Sequence, residues 1–405
     1  MLLEFWENFR HNLFKPLLMF FYLGFLIPIL KVQFEFPYVI YQGVTMYLLL
    51  AIGWHGGEEL ATIHVSSIAN IVGFIVVGFF LNFLIGFIAY LLLGRMSKMR
   101  RIDRATVAGY YGSDSAGTFA TCVGVLATVG MAFNGFMPVM LAVMEMPGCL
   151  VALYLAARLR HKEMMDAAGN LPGEPGYNLA LSPGPGATAR PRPGESLEAE
   201  YDRELEEELA LEKPGHPEHS GAHRDGTKPG TVKLLQEVLL NPGLYLLFGG
   251  IVIGLISRLQ GPKVVHDDDN VFVAAFQGVL CLFLLEMGMT ASRRLKDLRT
   301  AGPGFIAFGL LAPNLFATLG IITAYTYGYL THTHFKPGTY ILFAVLCGAA
   351  SYIAVPAVQR LAIPEASPTL PLAASLGLTF SYNVTIGIPL YIEISRIVAG
   401  WFPIT

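Results

Sequence analysis

Two short polar runs interrupt otherwise apolar stretches and hold most of the chemistry this chain offers. The first reads Gly109-Tyr110-Tyr111-Gly112-Ser113-Asp114-Ser115-Ala116-Gly117-Thr118, and the second Gly348-Ala349-Ala350-Ser351-Tyr352, with Pro356 soon after. Gly112 and Ser115 map onto Gly348 and Ser351 at a common spacing of 236 residues. Glu145, in Met144-Glu145-Met146-Pro147, is a further carboxylate in an apolar setting, and Pro147 frees backbone carbonyls near it. Asn383, in Thr379-Phe380-Ser381-Tyr382-Asn383, adds an amide. Carboxylates, hydroxyls and freed carbonyls are hard oxygen ligands suited to Na+, so Asp114, Ser115, Thr118, Glu145, Ser351 and Asn383 are the candidate cation ligands.

The same breaks suit an anion. A helix that restarts after an interruption presents unpaired N–H groups and the positive end of its dipole. Two such ends meeting would hold a small anion at Gly112, Ser113, Ser115, Gly348 and Ala349, and Asn383 could ligate either ion or equally cap helix packing. Small residues alone would point only to close helix packing, but Gly-Ser-Asp-Ser is too polar for that. The histidines lack zinc-ligand spacing, so no transition metal is expected. No GxxxxGK[ST] run is present, which argues against ATP as the energy source. No cofactor and no catalytic constellation is read, so the expectation is a non-enzyme.

The elements that must position these residues follow from composition. Of 405 residues, 54% are hydrophobic and 14% charged, against roughly 25% charged in ordinary soluble domains. A soluble enzyme is excluded, as is a basic nucleic-acid binder. Apolar runs near the 20 residues that span a bilayer recur along the chain, giving ten spans: 13–30, 37–54, 66–93, 105–128, 136–159, 244–259, 271–290, 303–328, 339–361 and 369–396. The N-terminus lacks a small-residue cleavage site, so the first run is read as a span and not a removable signal. Arg95, Lys98, Arg100, Arg101 and Arg104, then Arg158, Arg160 and Lys162, then Arg293, Arg294, Lys296 and Arg299 fall on one side, which the positive-inside rule makes cytoplasmic. Both termini are then outside, and Arg10 and Lys15 fit that less well. Four scattered cysteines in apolar segments predict no disulfide framework.

Five spans per half require any internal repeat to be inverted. Tyr41 to Leu60 aligns without gaps on Phe276 to Leu295, sharing Gln42/Gln277, Gly43/Gly278 and Gly53/Gly288, while Glu58-Glu59 falls on Arg293-Arg294. The charge reversal is what two copies ending on opposite sides would show. Domain limits follow: 1–162 and 232–405 as two five-helix units, joined by a cytoplasmic linker, 163–231. The linker carries 14 of the 30 acidic residues and 6 of the 27 basic ones. A Pro/Gly-rich disordered tract is expected over Leu171 to Gly194. An acidic amphipathic helix is expected next, with Leu197, Tyr201, Leu205 and Leu209 on one stripe, suited to docking or regulation. Glu286, nearer the cytoplasmic end of its span, is expected to pair with a neighbouring base.

Leu284-Leu285-Glu286-Met287-Gly288-Met289, the Gly112-Ser113-x-Ser115 break, Ser351-Tyr352-Ile353-Ala354-x-Pro356-Ala357, Ala362-Ile363-Pro364-Glu365-Ala366 and Asn383-x-Thr385-x-Gly387-Ile388-Pro389 resemble the SbtA-type sodium-dependent bicarbonate transporters. The resemblance covers both membrane halves and is weakest in the linker, and it implies that the two breaks, the Phe380 to Asn383 stretch and Glu145 form the ion and substrate region. It implies an all-α polytopic membrane protein with ten transmembrane helices in a 5+5 inverted repeat and crossed discontinuous helices 4 and 9, related to sodium/proton antiporters and bile-acid transporters. In that family helices 1, 2, 6 and 7 form a gate, the others a core. The resemblance further implies Na+-coupled bicarbonate uptake by an elevator motion, a homotrimer in the plasma (bacterial inner) membrane and a PII-like regulatory protein on the cytoplasmic face. The chain departs from the family pattern at Asp114, where an apolar residue is usual, and at Glu145, where Asp is. Three alternatives stand beside this reading: a sodium/proton antiporter, a Na+ symporter of another small anion, and a non-transporting receptor or scaffold that presents the acidic linker.

Overall fold

The computed structural model describes residues 14–63, 65–162, 165–178, 242–295, 298, 302–352, 355–356, 359 and 362–402. All regular structure among them is helical. The acidic helix expected around Leu197 to Leu209 lies outside the described residues.

The first half contains α1 (Pro16–Ile29), α2 (Tyr38–Leu60), α3 (Val65–Met96), α4 (Arg101–Tyr111), α5 (Ala116–Thr128), α6 (Met137–Met144) and α7 (Met146–Lys162). The second contains α8 (Pro242–Gln260), α9 (Pro262–Asp269), α10 (Phe276–Arg294), α11 (Pro303–Thr331), α12 (Pro337–Gly348), α13 (Thr369–Leu372) and α14 (Ile388–Ala399). Proline begins α1, α8, α9, α11 and α12, where its missing N–H costs nothing and its fixed φ suits the first turn. Five helical stretches have the length and apolarity to cross a bilayer, among them Ser67–Met96, Met137–Arg160 and Pro303–Thr331. Several other expected spans are assembled from shorter pieces. The fourth divides into α4 and α5, while the fifth, within Met137–Arg160, keeps its full length but has a turn at Glu145 between α6 and α7. The tenth runs through wide π-helical turns at Ala373–Phe380 and Asn383–Gly387 between α13 and α14.

Lipid tails are as apolar as leucine, so helices in a membrane associate by close backbone approach rather than by hiding apolar surface from water. Here α1 packs along α10, and α2 along α8. A Cβ on Gly288 of α10 would meet Phe21 O and Phe25 N of α1, and one on Gly53 of α2 would meet Leu247 O and Ile251 N of α8. Likewise a Cβ on Gly24 would meet Leu285 O, and one on Gly250 would lie 2.6 Å from Leu50 O. Leu50 and Leu285 stand 235 residues apart, the spacing of the Gln-Gly-Val segments, while Phe21/Leu247 and Phe25/Ile251 share a spacing of 226. Corresponding backbone atoms therefore make both junctions.

At the arginine-rich end, the chain after α7 differs from expectation. Residues 165–178 are folded, so the first part of the tract expected to be disordered from Leu171 is packed, with Met165, Asp166 and Leu171 buried. Asp166 accepts from the backbone N–H groups of Ala168, Asn170 and Asn178, at 2.8–3.0 Å. Glu174 accepts from Arg101 N at 2.9 Å, capping the first turn of α4, and from Leu171 N. Arg100 binds both Asp103 oxygens, Ala168 O and Glu365 O, and Arg160 grips Glu365 through two hydrogen bonds of 2.7 and 3.0 Å. This polar clasp substitutes for sequence-local caps, which α4 lacks.

Candidate ion and substrate site

The first break spans Gly112 to Ser115. Gly112 ends α4 at φ −79°, a conformation any residue adopts, so its glycine is explained by space. A Cβ there would lie 3.0 Å from Gly86 Cα of α3 and 3.2 Å from Gly148 Cα of α7. Three glycines thus let the break lie between two other helices. Ser115 restarts the chain as N-cap of α5, its Oγ accepting from Thr118 N at 3.3 Å and from Thr118 Oγ1 at 3.0 Å, one of the orphan donors of a helix start satisfied.

The second break follows α12, and residues 349–352 are non-helical. Asn383 Nδ2 donates to Gly348 O at 2.9 Å, and Tyr391 OH donates to Asn383 Oδ1 at 2.6 Å. Asn383 therefore holds the end of α12 with both ends of its amide. The two breaks meet directly: Ser351 N donates to Tyr110 O at 2.9 Å. Ser351 Oγ reaches Glu145 Oε1 at 3.5 Å, which brings the third irregular point into the same junction.

That third point is the turn at Glu145. Pro147 has no N–H to give to Val143 O four residues back, and the two carbonyls that follow take side-chain donors. Ser113 Oγ donates to Glu145 O, and Asn82 Nδ2 of α3 donates to Met144 O at 3.1 Å. Pro313 in α11 raises the same problem four residues back, at Gly309 O. Thr379 Oγ1 donates to Gly309 O at 3.1 Å and is itself held by Tyr111 OH at 2.6 Å, so the last residue of α4 is fixed to the wide-turn tenth span.

What remains unsatisfied is informative. Asp114 is fully buried, and neither carboxylate oxygen has a hydrogen-bond partner; nor does Asn82 Oδ1, also fully buried. Glu145 lies close enough for its charge to act on Asp114. Buried acceptors without donors are costly, and a hard cation satisfies them while an anion cannot. A donor sits on the other side of the junction. The Tyr352 hydroxyl is buried beside Ser115 and against Gly117 in the first turn of α5. Its ring packs edge-on to Phe380 at 5.6 Å, and Phe380 in turn packs on Phe21 of α1 at 6.1 Å. Phe283 of α10 also faces Gly117.

Of the residues singled out from sequence, Gly112, Ser113, Asp114, Ser115, Thr118, Glu145, Gly348, Ala349 and Ser351 gather at this junction. Phe380 forms an apolar wall and Asn383 braces α12. Asn82, Gly86 and Gly148 escaped the sequence reading, which placed Tyr352 in the second break but not among the site residues. Asn82 is an amide in the middle of an apolar helix, and that was the available signal. Glu286 Oε1 accepts from Thr290 Oγ1 at 2.8 Å, and Arg293, one turn further on, is near enough for its charge to act on the carboxylate. Cys122, Cys149, Cys281 and Cys347 are free.

No curated protein matches the chain. A family model does, over residues 16–396, from the start of α1 into α14, taking in both breaks and both glycine-packed helix pairs. The chain thus belongs to the Na+-dependent bicarbonate transporter superfamily.

Proposed function

We propose that this protein carries bicarbonate and Na+ together into the cell. The observation that bears most weight is the junction itself, where a buried acceptor-only carboxylate, Asp114, lies beside two helix interruptions joined at Ser351 N–Tyr110 O. In this reading Na+ enters first, against Asp114, Glu145 and the neighbouring hydroxyls, with Ser115, Thr118 and Ser351 as further oxygen ligands. Its charge offsets theirs. Bicarbonate then settles on the opposite side, against the first turn of α5 with the Tyr352 hydroxyl as donor, near Ser113, Gly348 and Ala349 and walled by Phe380. Coupling follows because, without the cation, two carboxylates would repel the anion.

The proposed architecture is ten spans in two inverted five-helix units. The matched backbone contacts of α1–α10 and α2–α8 support it. Those four helices serve as the gate, and the remainder moves across them as a body, an elevator. Contacts between the two groups at the end opposite the arginines are Lys15 Nζ to Thr128 Oγ1 at 3.1 Å, Gln277 Nε2 to Gly124 O at 3.0 Å and Lys336 Nζ to Glu59 at 3.0 Å. Each is a polar contact that such a slide must break. The arginine-rich end and the linker 163–231 face the cytoplasm of a bacterial inner membrane, with both termini outside. A homotrimer and a PII-like partner on the cytoplasmic face belong to the same proposal.

Purified protein in vesicles should take up labelled bicarbonate only when a Na+ gradient points inward. Equal uptake without that gradient overturns the coupling. The adjacency of Asp114 and Glu145, with no basic residue bonded to either, favours sodium/proton antiport as the second reading. Vesicles loaded with a pH dye separate the two, because only an antiporter acidifies or alkalinises the lumen on Na+ addition without bicarbonate.

A further inference from the structure

Resting on the cation site just proposed, we infer that Asn82 of α3 is a direct ligand of the coupling ion through Oδ1, so that the pocket has a third wall beyond the two breaks. Asn82 lies in a 32-residue apolar helix and is fully buried. A neutral amide in that position is expensive unless both of its ends are engaged. Only one is. Nδ2 donates to Met144 O, an assignment forced by chemistry because a carbonyl only accepts. Oδ1 is therefore turned away from the carbonyl, and no donor meets it.

The direction in which Oδ1 is left free follows from its neighbours. The Asn82 backbone packs against Gly112, whose Cβ would lie 3.2 Å from Asn82 O. Its side chain grips Met144 O while Ser113, adjacent to Asp114, grips the next carbonyl, Glu145 O. Asn82 thus stands between the first break and the Glu145 turn. Three buried oxygens with no donor, Asn82 Oδ1 and both of Asp114, belong to this junction. A neutral oxygen there adds a ligand without adding a third negative charge, which matters in a pocket already holding two carboxylates.

Two variants separate this from a purely structural amide. Asn82→Leu and Asn82→Asp both lose the N–H that holds Met144 O, but only the aspartate keeps an oxygen. Direct binding of radioactive Na+ to detergent-purified protein, with thermal stabilisation by Na+ over K+ as a second readout, is measured without bicarbonate. Asn82→Leu should weaken Na+ binding by about 10- to 100-fold, whereas Asn82→Asp, which keeps an oxygen ligand although it adds a charge, should retain clearly more of the native affinity than Asn82→Leu. In Na+-free buffer Asn82→Asp should lose at least as much thermal stability as Asn82→Leu, so a purely structural amide predicts the larger binding loss in the aspartate. Native Na+ affinity in Asn82→Leu, or equal loss in both variants, overturns the ligand assignment and leaves the site reading intact. Absence of Na+ binding in the native protein overturns the cation site itself.

Discussion

Replacing Gly112 by alanine tests whether space, and not backbone freedom, is what the first break requires. The residue has φ −79° and ψ 5°, so alanine meets no conformational penalty. It does meet three backbone neighbours, Gly86 Cα at 3.0 Å, Asn82 O at 3.2 Å and Gly148 Cα at 3.2 Å. None is a side-chain tip that can swing aside. Restoring ordinary carbon contacts of about 3.5 Å means moving α3 and α7 apart by a few tenths of an ångström on each side of the break. Overpacking of this kind costs about 1–3 kcal/mol, and the small displacement places Gly112→Ala near the middle, roughly 2 kcal/mol. For a chain of 405 residues that is a fall in Tm of about 2–3 °C. The same displacement pulls on Ser113 and Asn82, which hold the Glu145 and Met144 carbonyls, so Na+-driven bicarbonate uptake should fall by at least about tenfold. Gly278→Ala is the control, since its Cβ would meet nothing within 4 Å, and replacing a helical glycine stabilises by up to about 1 kcal/mol. Thermal unfolding in detergent and uptake into vesicles read both effects. Native behaviour of Gly112→Ala, or equal damage from Gly278→Ala, refutes the reasoning.

Other perturbations have equally definite outcomes. Glu58, in the last turn of α2 beyond the apolar stretch, has its carboxyl pushed up to about 7, by burial first and then by the charge of Asp269. The folded state then holds a proton that the unfolded state releases, so stability is present below about pH 4.5 and is lost as pH rises to about 7. Glu58→Gln should flatten this slope, and unfolding scans at pH 5 and pH 8 check it. Arg100→Lys should not rescue the loss seen in Arg100→Ala, roughly 2–3 kcal/mol, because an ammonium cannot span both oxygens of the buried Asp103; equal Tm values for lysine and native protein would contradict the fork geometry. Cross-linking a Glu59→Cys, Lys336→Cys pair should stop uptake and reduction should restore it; undiminished uptake in the cross-linked protein argues against sliding of the core past α2.

The position of the helix breaks was legible because lipid enforces backbone pairing locally, and a run such as Gly-Ser-Asp-Ser cannot continue an apolar helix cheaply. The folded start of the linker was not legible. Pro and Gly in Leu171 to Asn178 read as disorder, yet Glu174 and Asp166 find N–H partners supplied by α4 and by the segment's own turns. Composition carries no information about such distant donors.

By itself the sequence determined that this is an apolar, multiply interrupted helical chain with duplicated polar breaks, and which residues lie in them, because those properties depend on neighbours a few positions away. Only the tertiary structure decided that Ser351 meets Tyr110, that Asn82 and Tyr352 face the junction, and that Gly86 and Gly148 make room for it. Those facts depend on which helices approach one another, and a contact between residues hundreds of positions apart leaves no local trace in either segment.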